Sequence, residues 1–195
     1  MIQVTDTGLT IINTRLAFAS LYHAKPFSDG GKPKFQAKFL IEKDRTEDIQ
    51  VIKSEIVKVA TAKWADKTAT ILKGLMAEGK LCFADGDNKA WEGFPGNFYI
   101  SASNDVKPAT VDRQAKEVLE QSGVLYSGCY VIAKVSFWAQ DNKWGKRVNA
   151  NLRGVQFYRD GEAFTGGGAA SVNEFEAQEP AAANTFAGNA NADLF

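Results

Sequence analysis

SGCYVIAKVSFWAQDNKWGKRVNANLRGVQFYR, residues 127–159, reads as two long strands joined by a short loop. Successive side chains of a strand point to opposite faces, so Cys129, Val131, Ala133, Val135 and Phe137 form one side, and Tyr130, Ile132, Lys134, Ser136 and Trp138 the other. The loop spans Asp141 to Lys146, and the return strand sets Val148, Ala150 and Leu152 against Arg147, Asn149, Asn151 and Arg153. An apolar face backed by Tyr, Lys, Trp, Arg and Asn suits a platform on which bases stack on rings while cations follow phosphates. The same residues admit a second arrangement, in which a helix packs on Tyr130 and Trp138 and makes them part of a second core.

The rest of the chain bounds this reading. Its 195 residues, 45% of them hydrophobic, suit one domain with extensions. Cys82 and Cys129 stand far apart without a Cys-x-x-Cys pair, and His23 is the only histidine, so the pattern indicates neither a zinc site nor a disulfide framework, and a reducing cytoplasm fits best. No apolar run approaches the roughly 20 residues of a membrane span, and MIQVTDTGLT lacks the basic-then-apolar order of a signal peptide, so neither export nor a membrane is expected. The net charge of zero is unevenly spread. Residues 169–195 carry four acids and no base, which leaves 23 cations against 19 acids, or +4, on the body. A mildly basic body with an acidic tail is a weak pointer towards polyanions.

Residues 9–22 alternate as a strand, with Ile12, Leu16 and Phe18 assigned to the core and Asn13 and Arg15 to the opposite face. Residues 25–33 form a turn-rich basic loop around Phe27, holding Lys25 and Lys32, and KFQAKFLIEK after it is a strand with Lys34 and Lys38 on its polar side. Asp44 is expected to cap a helix carrying Ile49, Ile52, Ile56, Val59, Ala60 and Trp64. A second helix from Lys67 to Glu78 sets Ile71, Leu72, Leu75 and Met76 on one side and stops at Gly79. Residues 85–96 are a loop exposing Trp91 and Phe94, residues 97–104 a strand, 105–113 an extended polar link, and 114–121 a short helix. From Gly166 the composition is too polar to bury a core, and disorder is expected up to the ending Asp193-Leu194-Phe195, an acid and two large apolar residues that form a small anchor for a partner.

No catalytic constellation is visible. His23 at a strand end is more often structural than a general base. Gly30-Gly31-Lys32 lacks the spacing of a phosphate loop, and Asp85-Gly86-Asp87-Asn88 lacks the closing Glu of a calcium loop. Neither a metal nor a cofactor is expected.

Several motifs, in register along the chain, are similar to a family of bacteriophage single-stranded-DNA-binding proteins long catalogued as a domain of unknown function. They are residues 15–22, Lys25-Pro26-Phe27, residues 30–41, Asp85-Gly86-Asp87 with Trp91-Glu92-Gly93, residues 98–103, Val111-Asp112-Arg113, residues 126–131, Gly154-Val155-Gln156 and Arg159-Asp160-Gly161. The resemblance covers about residues 9–165. It implies a non-catalytic OB-type core that coats single strands during phage DNA replication and recombination. Phage and bacterial proteins of this kind typically end in a flexible acidic tail with an apolar or aromatic last residue, to which Asp193-Leu194-Phe195 is similar, so the tail is expected to recruit phage or host replication proteins and to compete with DNA.

The expected architecture is therefore mainly β (α+β): a five-stranded OB-type Greek-key barrel over 1–165 with inserted helices, and a flexible acidic tail over 166–195. The expected partner is single-stranded DNA, in the host cytoplasm of a phage, with a homodimer left open. Tyr130 and Trp138 are the stacking residues and Lys34, Lys38, Lys134, Arg147 and Arg153 the phosphate contacts. Arg15, Lys25, Phe27, Lys32, Trp91 and Trp144 complete the candidate set, and Asp193, Leu194 and Phe195 form the partner-binding tail. A strand-annealing mediator and a protein-interaction module without DNA binding are the rival readings.

Overall fold

In the computed structural model, which describes residues 1–26 and 30–164, eight strands and two helices follow in the order β1 (Ile2–Thr5), β2 (Gly8–Lys25), β3 (Lys34–Glu42), α1 (Thr46–Trp64), α2 (Thr68–Ala77), β4 (Phe83–Asp85), β5 (Asn97–Asn104), β6 (Ala109–Val111), β7 (Tyr130–Asn142) and β8 (Gly145–Arg159). Five of them close a barrel in the order β2-β3-β5-β8-β7 and back to β2. Four contacts are antiparallel, and the closure of β5 on β8 is parallel, pairing Ala102 with Ala150 and Ser103 with Asn151. This is the expected OB-type barrel, with the helices inserted between its second and third strands. β1, β4 and β6 are short additions at its rims, and the expected link over 105–113 contains β6, which pairs with Gly154–Gln156 of β8.

The alternation of the opening stretch holds. Cys129, Val131, Ala133, Val135, Val148, Ala150 and Leu152 are all at most 3% exposed and fill the barrel with Leu9, Ile11, Leu16, Phe39, Ile41 and Ile100. The connecting turn is shorter than expected, Lys143-Trp144 alone, because β7 and β8 stay paired out to Asn142 and Gly145.

In β2 the alternation breaks twice. Ile11 and Thr14 are both buried three residues apart, and Leu16 and Leu21 five apart; an odd spacing between inward side chains requires an extra residue in the strand. The two irregularities carry non-glycine residues at positive φ, Asn13 at 57° and Phe18 at 47°. Ile12 is consequently half-buried, and Phe18 is 51% exposed on the outside, correcting its assignment to the core.

α1 buries Ile49, Ile52, Ile56, Ala60 and Trp64 as its periodicity requires. Its N-cap is Arg45, with no side-chain cap, in place of Asp44. The Arg45 guanidinium donates to Asp48 at 2.6 Å and to the carbonyls of Ile12 and Asn13, so it ties the helix start to the first irregularity of β2. α2 ends at Ala77, Gly79 at φ 64° turns the chain away just beyond it, and its Met76 is 68% exposed, not packed with Leu75. Residues 114–121 do not form the expected helix: the chain turns where the Asp112 carboxylate accepts from the amides of Gln114 and Lys116 and Ala115 sits at φ 60°, Glu117 then bridges Val111, and only Glu120–Ser122 make a single 3-10 turn.

The helices lie against the odd-numbered end of β7, where Phe137 and Ala139 join the core cluster of α1 and Trp64 Nε1 donates to Asp141 at 3.0 Å. The even-numbered face of Lys134 and Trp138 is left uncovered by them. The tail readings, including its disorder and the anchor at 193–195, lie outside the described residues, as does Phe27. Among the described residues, no helix is long and apolar enough to cross a membrane.

Candidate nucleic-acid interface

Across β3, β5, β8 and β7 the register aligns outward side chains in rows. Gln36, Ser103, Asn151 and Ser136 form one, and Lys38 with Ser101 the next, with Asn149 opposite Trp138 on the far strands. Small or neutral polar side chains make this face shallow. It spans three interstrand steps, or roughly 14 Å.

At one end lies a groove of about 380 Å³ between Phe18, Pro26 and Trp91, floored by Gln36, Lys38, Ser101 and Ser103. Its wall is an aromatic cluster. Phe18 and Trp91 meet edge to face with centroids 5.0 Å apart, Trp91 and Phe94 at 5.1 Å, and Phe94 and Tyr99 at 5.2 Å. Phe94 is fully buried, against the expectation of an exposed loop ring, and with Ala17, Leu40 and Tyr99 forms a small second core under the loop. Resting on it, Phe18 and Trp91 remain 51% and 41% exposed. A bulky residue at positive φ costs on the order of 1–3 kcal/mol, which the surrounding packing must offset, and such strain gathers at functional sites. Here it turns an apolar ring out of the barrel and into the groove.

The loop that presents Trp91 is braced. Lys43 Nζ lies 2.7 Å from Asp85 and 2.5 Å from Asp87, whose other oxygen accepts from the Gly96 amide. These hydrogen bonds hold both carboxyls below their ordinary pKa. The brace is present above the ordinary carboxylate range and is lost as pH falls through the lowered values. At Gly86 a Cβ would stand 2.3 Å from the Phe94 carbonyl, so only glycine fits. The two aspartates thus serve loop geometry, and among the described residues no three His, Cys, Asp or Glu come together as a metal site.

Lys38 lies along the groove floor. Its ammonium donates to Ser101 Oγ at 2.8 Å and sits 5.1 Å from the Tyr99 ring and 5.7 Å from Trp91. Burial, and then the charge of Lys89, lower its pKa. Lys89 stands over the other side of the rim, 5.1 Å from Trp91.

At the other end a second groove, about 310 Å³, runs from Lys34, Ser103 and Asp105 to Trp138, Asn149 and Asn151. Trp138 is 40% exposed, and its Nε1 donates to Asn151 at 3.0 Å, which fixes the ring on this face of the sheet. Asp105 holds Lys32 at 2.7 Å and Lys34 at 3.6 Å, occupying the position of an anion beside both lysines. The grooves share Ser103, which makes the face continuous.

Of the residues singled out from sequence, this face gathers Lys34, Lys38, Trp91 and Trp138, with Lys32 at its edge. Lys25 is exposed opposite Lys34, Arg147 is exposed next to the hairpin turn, and Trp144 tips that hairpin at 75% exposure. The other candidates stand elsewhere. Tyr130 is covered by Arg159, whose guanidinium lies 3.3 Å over the ring, and not by a helix. Arg15 donates to the carbonyls of Gly128 and Glu162 and lies 4.3 Å over Phe164, so it ties the end of the domain to β2. Arg153 donates to the Thr7 carbonyl, and Lys134 is exposed further round the barrel beside Gly154. Phe18, Gln36, Ser101 and Ser103 were missed, and only the odd spacing of Leu16 and Leu21 signals that Phe18 leaves the core.

A closed five-stranded barrel with this strand order and an open outer face bordered by rings and lysines is of the oligonucleotide- and oligosaccharide-binding type. The chain belongs to the family of the single-stranded-DNA-binding protein of Enterobacter phage Enc34, whose family model matches residues 7–186. It is 46% identical over 166 residues to protein p50 of Acyrthosiphon pisum secondary endosymbiont phage 1, covering 84% of this chain and 90% of that one. Among solved structures it resembles the phage Enc34 single-stranded-DNA-binding protein in complex with single-stranded DNA, with a TM-score of 0.70, 26% identity, and coverage of 84% of this chain and 93% of that one. It shares the fold of gp2.5, the single-stranded-DNA-binding protein of bacteriophage T7, with a TM-score of 0.51, 15% identity, and coverage of 83% and 96%.

Proposed function

We propose that this protein binds single-stranded DNA without catalysis, protecting exposed strands during phage DNA replication and recombination in the host cytoplasm. The observation that carries this reading is the continuous face with exposed rings at both ends, Phe18 and Trp91 at one and Trp138 at the other, and lysines along it. Rings supply sequence-tolerant stacking worth roughly 1–3 kcal/mol per base, and Lys25, Lys34 and Lys89 lie where a backbone would pass. Family membership and the Enc34 complex support the choice of ligand. Titration with oligo-dT at two salt concentrations, followed by tryptophan fluorescence, is expected to show quenching of Trp91 and Trp138 and a falling affinity as salt rises. Unquenched fluorescence at both salts overturns the proposal.

Residues 1–165 are the proposed binding domain and 166–195 an acidic tail that competes with DNA for the lysines and recruits replication proteins through Asp193, Leu194 and Phe195. What supports the competition is charge: the tail residues carry acids only, and the body is net basic. Deletion of residues 170–195 is expected to raise affinity for oligo-dT at low salt, with the gain fading as salt screens the attraction. An affinity unchanged at low salt removes the competition.

A further inference from the structure

We propose that Lys38, with Ser101, contacts a carbonyl oxygen of a base instead of a phosphate, so that the Phe18–Trp91 groove favours thymine-bearing over adenine-bearing strands. This rests on the single-strand-binding reading above and specifies what that site recognises.

The geometry sets Lys38 apart from the other lysines of the face. Its stem leaves β3 and crosses to β5, where the ammonium meets Ser101 Oγ at 2.8 Å, so the charge lies on the floor and not at the rim. Two rings, Tyr99 at 5.1 Å and Trp91 at 5.7 Å, flank it. A base stacked on Trp91 brings its edge down towards this floor and leaves its sugar and phosphates outside, where Lys89 already stands beside the ring. An ammonium is donor-only, with three hydrogens, and Ser101 takes one. Because Ser101 accepts that hydrogen, its own hydroxyl proton is left to donate, and the pair presents adjacent donors to one acceptor. Thymine offers a carbonyl oxygen whose two lone pairs can accept from both donors at once, whereas every edge acceptor of adenine is a ring nitrogen with a single lone pair, which meets a donor pair poorly. The desolvation that lowers the Lys38 pKa also makes an unfilled donor costly there, which strengthens the demand for an acceptor.

The test compares oligo-dT with oligo-dA of equal length. Adenine strands bind less well to many such surfaces because they stack on themselves, so the informative quantity is the dT-to-dA affinity ratio of each variant relative to the unaltered protein. Lys38→Met, which keeps the stem, is expected to lower that ratio at least about fivefold, and Ser101→Ala to lower it in the same direction. Lys34→Met, at the rim, is expected to leave the ratio alone and reduce the slope of log affinity against log salt by about 0.7, the value for one phosphate on a single strand. A Lys38→Met protein with an unchanged ratio and a slope reduced by that amount makes Lys38 a phosphate contact and overturns the inference. If its thermal melt shows that Lys38→Met fails to fold, Ser101→Ala decides, and an unchanged ratio there overturns it too. Absence of binding to either homopolymer by the unaltered protein overturns the single-strand-binding reading itself, a distinguishable result.

Discussion

Trp91→Ala is expected to weaken oligo-dT binding by about 5- to 150-fold, the range that corresponds to one lost stacking contact of roughly 1–3 kcal/mol. The ring is 41% exposed at the mouth of the groove, with Lys38 and Lys89 close to it and Phe18 and Phe94 supporting its edge. Its loop is held by Lys43, Asp85, Asp87 and Gly96, none of which the substitution touches, so the backbone that presents it should persist. Stability is expected to fall by about 1–3 kcal/mol, the worth of its two ring pairs with Phe18 and Phe94. Trp91→Phe, which keeps a ring in place, is expected to recover most of the affinity. An oligo-dT affinity for Trp91→Ala within a factor of two of the unaltered protein moves the stacking role away from this groove and towards Trp138.

Phe94→Ala should have the largest effect on stability. The side chain is fully buried in the small core that supports the groove, in contact with Trp91, Phe18 and Tyr99, and its removal leaves a cavity the loop cannot readily close. Removal of a buried phenylalanine costs about 3–5 kcal/mol. For a domain of this size that lowers the melting temperature by roughly 6–20 °C. The barrel core is separate from this cluster, so a folded protein with a lowered melting temperature is expected, together with reduced DNA affinity because Trp91 and Phe18 lose their support. Trp91→Ala and Phe94→Ala therefore differ in signature: the first lowers affinity with the smaller loss of stability, and the second lowers both, stability the more. A Phe94→Ala protein that melts within 2 °C of the unaltered one contradicts the assignment of Phe94 as the prop of the groove.

Much of the barrel was legible because strand alternation is a local property. β5 appears with the bounds expected for it, β3 within a residue, and the inward sets of β7 and β8 follow from period two alone. The helical period of α1 names its buried face correctly, although its cap does not follow the Asp44 pattern, because Arg45 has a stronger set of partners in Asp48 and two carbonyls of β2. The site was legible only in part. Lys34, Lys38, Trp91 and Trp138 were within reach since each is a ring or cation opposite an apolar set, or one in a turn-rich loop.

What the sequence determined by itself is the pair of strands over 127–159, which of their side chains enter the core, the uneven charge and the family motifs. All of these depend on neighbours a few residues apart or on side-chain chemistry. What only the tertiary structure decided is which outer faces stay open and what covers the others. Tyr130 and Trp138 share one face of one strand, yet Arg159 lies on the first, and the second borders a groove with Lys34 from a strand about a hundred residues earlier. Phe18 looks like a core residue until an extra residue in β2 reverses its direction and Trp91, from a loop beyond two helices, comes to rest against it. Periodicity fixes the side of a strand on which a residue lies, but the occupant of that side is set by contacts between segments distant in the chain, and no local pattern records those.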